Sequence, residues 1–180
     1  RVTAASEGRR AVFLDRDGVL NQAVVKGGLP YPPASVDELL LPDGVIEACR
    51  LLAAAGWLLV CATNQPDIAR GTQTRQRLDA INEALSRRLR LAAIRVCPHD
   101  DGDGCACRKP CPGLLLDAAR DFDIDLKSSI MVGDRWSDIE AGKRAGCRTV
   151  FIDHGYAEKR PDGMDFTCAS LLDAVPWILK

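Results

Sequence analysis

The sequence predicts an α/β fold: a parallel sheet with helices on both faces. Short apolar runs recur along the chain, at residues 11–14, 57–62, 94–96, 130–132 and 149–152. Continuous rather than alternating apolarity is what a strand covered on both faces requires. Between these runs lie segments of helical periodicity, and strand alternating with helix is the pattern of parallel strands joined by crossovers. The expected architecture is three-layered and Rossmann-like.

The first helix is expected over 45–55, with Asp43 as N-cap and Gly56 as its stop. In the next, Leu78, Ile81, Leu85 and Leu89 hold one face, while Arg75, Arg77, Arg87, Arg88 and Arg90 mostly take others. No aromatic residues are interleaved with those arginines, so they read as a solvated face rather than a nucleic-acid site. Further helices are expected over 113–121 after Pro112, over 138–145 before Gly146, and over 171–179 with Pro176 inside it. Two stretches break the alternation: 22–42, rich in Gly and Pro, and 98–112, rich in Cys, Asp and Gly. Both read as functional loops on a compact frame.

A chain of 180 residues, 47% hydrophobic and 27% charged, fits a single domain with its own core. A net charge of −1 gives no general field for nucleic acid or an anionic membrane, so any anion site must be local. RVTAASEGRR lacks the apolar centre of a secretory signal, and no apolar run approaches bilayer length. A cytoplasmic monomer without nucleic-acid or membrane partners is expected. In that setting the eight cysteines read as metal ligands or core residues rather than disulfides. Cys49, Cys61, Cys147 and Cys168 are expected in the core.

Ligands of an open parallel sheet bind beyond the carboxyl ends of its strands. The run FLDRDGVLN places Asp15 at the end of the first strand; Thr63 and Asn64 end the second, and Gly133 and Asp134 the fourth. Carboxylates converging there repel unless a proton or hard cation intervenes, and oxygen-only donors select Mg²⁺. Such an ion would neutralise charge on a transferring phosphoryl group, with Lys109 and the Thr63 hydroxyl holding its remaining oxygens. Phosphoryl transfer then needs a nucleophile and a proton shuttle, which Asp15 and Asp17 provide. Asn64 and Gln65, next to Thr63, are expected substrate contacts.

Cys97, His99, Cys105 and Cys107 supply three thiolates and an imidazole within eleven residues, a complete tetrahedral set for structural Zn²⁺. Lys109 lies two residues beyond the last of them, so a metal-fixed loop would also fix Arg108 and Lys109.

FLDRDGVLN, ATNQ at 62–65, CRKP at 107–110 and VGDRWSD at 132–138 resemble the four motifs of the haloacid dehalogenase superfamily of phosphotransferases. The resemblance covers residues 11–153. It implies Asp15 as nucleophile, Asp17 as general acid and base, and magnesium held by Asp15, the carbonyl of Asp17 and Asp134, with Asp138 near it through water. TNQPDIARG and CPH followed by CACRKPCPG resemble more closely the subgroup of heptose-bisphosphate and histidinol-phosphate phosphatases. That subgroup lacks a large cap domain and carries a zinc loop, which supports the zinc-stapled loop here. It also implies a small phosphorylated sugar as substrate, touched by Arg108, Lys109 and Arg135. An amine substrate would ask instead for acids such as Asp37 and Glu38 in the loop at 22–42.

Overall fold

β1 (Ala11–Leu14) runs through the middle of a six-stranded sheet in the computed structural model, which describes residues 8–180. Residues 1–7, part of the segment read above for a signal, lie outside the described residues. The other strands of this sheet are β4 (Leu58–Asn64), β5 (Ala93–Cys97), β6 (Ile130–Gly133), β7 (Arg148–Ile152) and β8 (Phe166–Cys168). Their order is β5-β4-β1-β6-β7-β8 and every pair is parallel. The chain builds outward from β1 through β4 to β5, then crosses back to β6 on the other side. The strand order therefore reverses at β1, where an open sheet of this kind has its ligand crevice.

Residues within a strand alternate between two cores. Val12 and Leu14 pack with Ala48 and Leu52 of α1 (Val45–Ala54), Ile81 and Leu85 of α2 (Arg75–Leu89), and Ala174 and Val175 of α5 (Leu171–Ile178). Ala11 and Phe13 face the opposite layer, against Leu115 and Ala118 of α3 (Gly113–Phe122) and Ala145, the last residue of α4 (Trp136–Ala145). Phe13 is fully buried, and truncating such a ring to Ala typically costs about 3–5 kcal/mol. Cys49, Cys61 and Cys147 are buried, and Cys168 packs half-buried against the first core.

Several boundaries differ from expectation. α1 is preceded by Gly44 at φ 79° rather than capped by the Asp43 side chain, and a Cβ at Gly44 would come within 2.6 Å of Leu172 on α5. Close packing of α5 thus decides how α1 begins. α4 starts two residues early, because Oδ2 of Asp138 accepts from the Arg135 backbone N–H at 3.0 Å and caps a turn already formed. Pro176 lies inside α5 without ending it.

The loop at 22–42 contains an unexpected hairpin of β2 (Val24–Lys26) and β3 (Leu29–Tyr31). Its turn is Gly27-Gly28, with φ of 59° and 77°; two successive positive φ values are what a tight hairpin turn requires. Among the described residues no helix is long and apolar enough to cross a membrane.

Candidate active site

The carboxyl ends of β1, β4 and β6 converge as the strand order requires, and they bring Asp15, Thr63, Asn64 and Asp134 to one edge of the sheet. Carboxylate oxygens of Asp15, Asp134 and Asp138 all lie within 4.8 Å of one another, and all three residues are buried. Lys109 enters this group from the loop before α3. Its Nζ donates to Asp15 Oδ1 at 2.8 Å and to the Ala62 carbonyl at 2.7 Å, and lies 2.6 Å from Asp138 Oδ1. The ammonium is thus held among protein oxygens at the floor of the site. Asn64 fixes the Lys109 backbone reciprocally: its Nδ2 donates to the Lys109 carbonyl, and the Lys109 N–H donates to its Oδ1, both at 3.0 Å.

These surroundings set the proton affinities. Burial, then the Asp138 charge, push the Asp15 carboxyl up to about 6, although Lys109 pulls the other way. Burial, with the Asp15 and Asp138 charges, holds Asp134 well above the usual carboxylate range. Burial works against the Lys109 charge, but Asp138 and Asp15 outweigh it and keep the amine firmly protonated. Three acids and one ammonium leave an excess of negative charge in a buried space. Asp134 Oδ1 is buried with no hydrogen-bond partner among the described residues. Hard oxygen donors with one orphaned lone-pair site fit a Mg²⁺-sized cation.

Asp17 is held apart from that group. Arg16, with no exposed surface, donates from Nε and Nη2 to Asp17 Oδ1 at 3.1 and 3.0 Å, and its Nη1 is fixed by Asn82 Oδ1 at 3.0 Å. Asn21 Nδ2 donates to Asp17 Oδ1 at 3.0 Å and Gln65 Nε2 to its Oδ2 at 2.8 Å. Gln65 also donates to Thr63 Oγ1 at 2.8 Å, so Thr63 and Gln65 are both buried beside Asp17 rather than facing open space. Gly18 bends the chain away at φ 95°; a Cβ there would fall 1.8 Å from Asp134 Oδ2.

Above the acids opens a cavity of about 410 Å³, lined by Asp15, Asp17 and Asn64 below and Tyr31 of the hairpin above. Its walls include Arg70, Arg108 and Arg135. Arg108 Nε donates to Asp101 Oδ1 at 2.7 Å and its Nη1 to the His99 carbonyl at 3.3 Å. Arg135 Nε donates to Glu158 at 2.9 Å. Trp136 is half-buried, lines this cavity and carries the Lys159 ammonium 5.0 Å from its ring centroid. Asp37 and Glu38 are not in the cavity wall; Glu38 Oε2 accepts from the Ala34 N–H instead.

The four soft donors cluster beside β5. Cys97 Sγ lies 3.7 Å from Cys105 Sγ and 3.0 Å from Cys107 Sγ, and the two thiols of Cys105 and Cys107 are 3.6 Å apart. His99 Nδ1 is 3.5 Å from Cys97 Sγ and 3.3 Å from Cys107 Sγ. Tetrahedral bonds of about 2.0–2.3 Å give edges of roughly 3.5–3.8 Å, so the group fits zinc, with the two edges from Cys107 to Cys97 and to His99 short. Burial opposes ionisation of Cys105, but the Arg108 N–H and the neighbouring thiols lower it to about 7. Cys111 stands outside the cluster.

Arg16, Asn21, Arg70, Tyr156 and Glu158 escaped the sequence reading. Arg16 left a signal, a basic residue between two acids at the exit of an apolar strand. Tyr156 and Glu158 left none, since only the return of β7 beside β6 brings them to the site.

Residues 106–174 match the HAD-hydrolase-like family. The chain is 40% identical over 158 residues to the D-glycero-beta-D-manno-heptose-1,7-bisphosphate 7-phosphatase of Bordetella bronchiseptica, covering 83% of this chain and 84% of that one. It is 37% identical to the D-glycero-alpha-D-manno-heptose-1,7-bisphosphate 7-phosphatase of Campylobacter jejuni, over 79% and 81% of the two chains. The crystal structure of the D,D-heptose 1,7-bisphosphate phosphatase of B. bronchiseptica, complexed with magnesium and phosphate, superposes with a TM-score of 0.81 at 35% identity, over 94% of this chain and 98% of that one. Sheet order, acid cluster and this kinship agree: the chain is a phosphatase of the haloacid dehalogenase superfamily and belongs to the family of the heptose-1,7-bisphosphate 7-phosphatases.

Proposed function

We propose that this chain hydrolyses the 7-phosphate of D-glycero-D-manno-heptose 1,7-bisphosphate through an aspartyl phosphate on Asp15. The observation that carries the chemistry is the buried Asp15 carboxylate at the switch point, fixed by Lys109 at 2.8 Å beneath a cavity walled by arginines. The names of the relatives support the substrate. One catalytic domain, built on the single six-stranded sheet, suits this reading.

Asp15, the carbonyl of Asp17 and Asp134 would hold Mg²⁺, with Asp138 near it through water; the ion supplies neutralisation of the charge on the phosphoryl group. An oxygen of Asp15 attacks phosphorus, the bond from phosphorus to O7 of the sugar breaks, and Asp17 gives its proton to the leaving alkoxide. Asp17 then takes a proton from water, whose oxygen attacks phosphorus and releases phosphate from Asp15. Arg16, Asn21 and Gln65 aim the Asp17 carboxyl, while Lys109 spaces Asp15 from Asp138. Asn64 holds the Lys109 backbone, and Thr63 anchors Gln65. Arg108 and Arg135 supply cationic donors for the sugar and its second phosphate.

Zn²⁺ on Cys97, His99, Cys105 and Cys107 would fix the loop that carries Arg108 and Lys109. The three wall arginines favour a bisphosphate over an amine such as histidinol phosphate: no acid of the 22–42 loop lines the cavity, and its wall acids Asp67 and Asp101 are paired with Arg70 and Arg108. A phosphate-release panel tests the substrate: both anomers of heptose 1,7-bisphosphate, fructose 1,6-bisphosphate, histidinol phosphate and a 3′-phosphorylated oligonucleotide. One heptose anomer should exceed all others in kcat/KM by at least about tenfold, and comparable low rates on all would defeat the substrate while sparing the mechanism.

A further inference from the structure

Four contacts leave one five-residue segment, His154 to Glu158, and each reaches a different part of the site. His154 Nε2 donates to the Gly18 carbonyl at 2.7 Å, behind the bend that follows Asp17. Tyr156 Oη donates to Asp134 Oδ2 at 2.8 Å. The Ala157 N–H donates to the Gly28 carbonyl at 2.8 Å, at the turn of the hairpin whose Leu29, Pro30 and Tyr31 line the cavity. Glu158 takes the Arg135 guanidinium from Nε. The segment is itself closed at its base, where Asp153 accepts from the Gly155 N–H at 2.9 Å and pairs with Arg160 at 2.7 Å.

The division of Asp134 between its oxygens is the telling feature. Oδ2 is occupied by Tyr156, and Oδ1 is the buried oxygen without a partner. A carboxylate free to rotate would exchange those roles; the phenol fixes which oxygen stays vacant. Gly18 permits this, since any side chain there would strike both Asp134 Oδ2 and Tyr156 Oη. Glu158 acts likewise on Arg135: it takes the Nε side of the fork and leaves Nη1 without a partner among the described residues.

We propose that His154 to Glu158 is a positioning strap, in which Tyr156 orients Asp134 for a divalent cation, Glu158 orients Arg135 for substrate, and Ala157 fastens the substrate hairpin to both. Tyr156 and Glu158 are positioning residues, acting through Asp134 and Arg135. The proposal rests on the reading of Asp134 as a magnesium ligand and of Arg135 as a substrate contact.

The test uses zinc-loaded, magnesium-free enzyme titrated with Mn²⁺, the free ion being followed by its electron paramagnetic resonance signal. Tyr156→Phe should raise the Mn²⁺ Kd by about 10- to 100-fold, the usual effect of removing a partner of a metal ligand. Glu158→Ala should leave that Kd within about twofold and raise the substrate KM by about tenfold with little change in kcat. Asp134→Asn, as reference, should abolish Mn²⁺ binding. Wild-type Mn²⁺ affinity in Tyr156→Phe, with binding lost in Asp134→Asn, overturns the strap alone. Retained binding in Asp134→Asn overturns the ligand assignment and the strap with it. An unchanged KM in Glu158→Ala removes the substrate half of the proposal, even if the tyrosine variant should fail to fold.

Discussion

Lys109 Nζ lies 2.8 Å from Oδ1 of Asp15, ninety-four positions away in sequence and with both residues buried. The same ammonium reaches Asp138, so a single cation separates two acids that would otherwise repel at the floor of the site. Lys109→Met should therefore strand two buried carboxylates. Breaking a buried pair by removing one partner costs about 3–5 kcal/mol, and loss of a donor at the reacting group typically costs about 10²–10³ in kcat. Denaturant titration without magnesium and steady-state kinetics with it measure the two effects; near-wild-type stability would show that the contact contributes little.

Stability without magnesium should depend on pH through Asp15. Its folded pKa is raised to about 6 against an ordinary 3.8, so between those values the folded chain binds more protons than the unfolded one. Stability from this group is fully present below about pH 4 and is lost as pH rises through about 6, on the order of 3 kcal/mol. Added Mg²⁺ should offset the loss, raising Tm more at pH 7 than at pH 4.5. A magnesium increment that is equal at both pH values would contradict the acid-cluster reading.

Among the described residues the side-chain anchors of Arg108 lie in the cysteine loop, at Asp101 and the His99 carbonyl, and its N–H faces Cys105 Sγ at 3.4 Å. Cys105→Ser, or chelation with magnesium kept in excess, should release zinc, lower Tm and raise KM by at least about tenfold. Zinc content measured by atomic absorption is the necessary companion. Unchanged kinetics after proven zinc loss would uncouple the loop from the site.

Arg16 is fully buried and spends its fork on Asp17 and Asn82. Arg16→Met should free Asp17 to rotate and lower kcat by about tenfold or more while Mn²⁺ affinity stays near wild type. An unchanged kcat would show that Asn21 and Gln65 suffice to hold Asp17.

Much of this was legible in the sequence, because the apolar runs at 11–14 and 130–132 have no polar alternation to confuse strand with helix, and a parallel sheet fixes where their ends lie. Asp15, Asn64 and Asp134 follow from that placement alone. The hairpin was not, since VVKGGLPY contains Pro30, is followed by Pro32 and Pro33, and has only six paired residues. β8 was missed for a related reason: Phe166 to Cys168 is a three-residue edge strand whose Phe166 is held by stacking on Trp177, 5.4 Å between ring centroids, rather than by its own pattern. The enclosed position of Lys109 could not be read either, because it depends on Ala62 and Asp138 arriving from two other segments.

Trapping the covalent intermediate tests Asp15 most directly. Enzyme turning over heptose 1,7-bisphosphate labelled in the 7-phosphate is quenched in acid within one turnover and digested. The label should appear as a hydroxylamine-sensitive phosphate on the peptide carrying Asp15, and should be absent from Asp15→Asn. Phosphate released at the wild-type rate by Asp15→Asn, with no label on that peptide from the wild type, would contradict it.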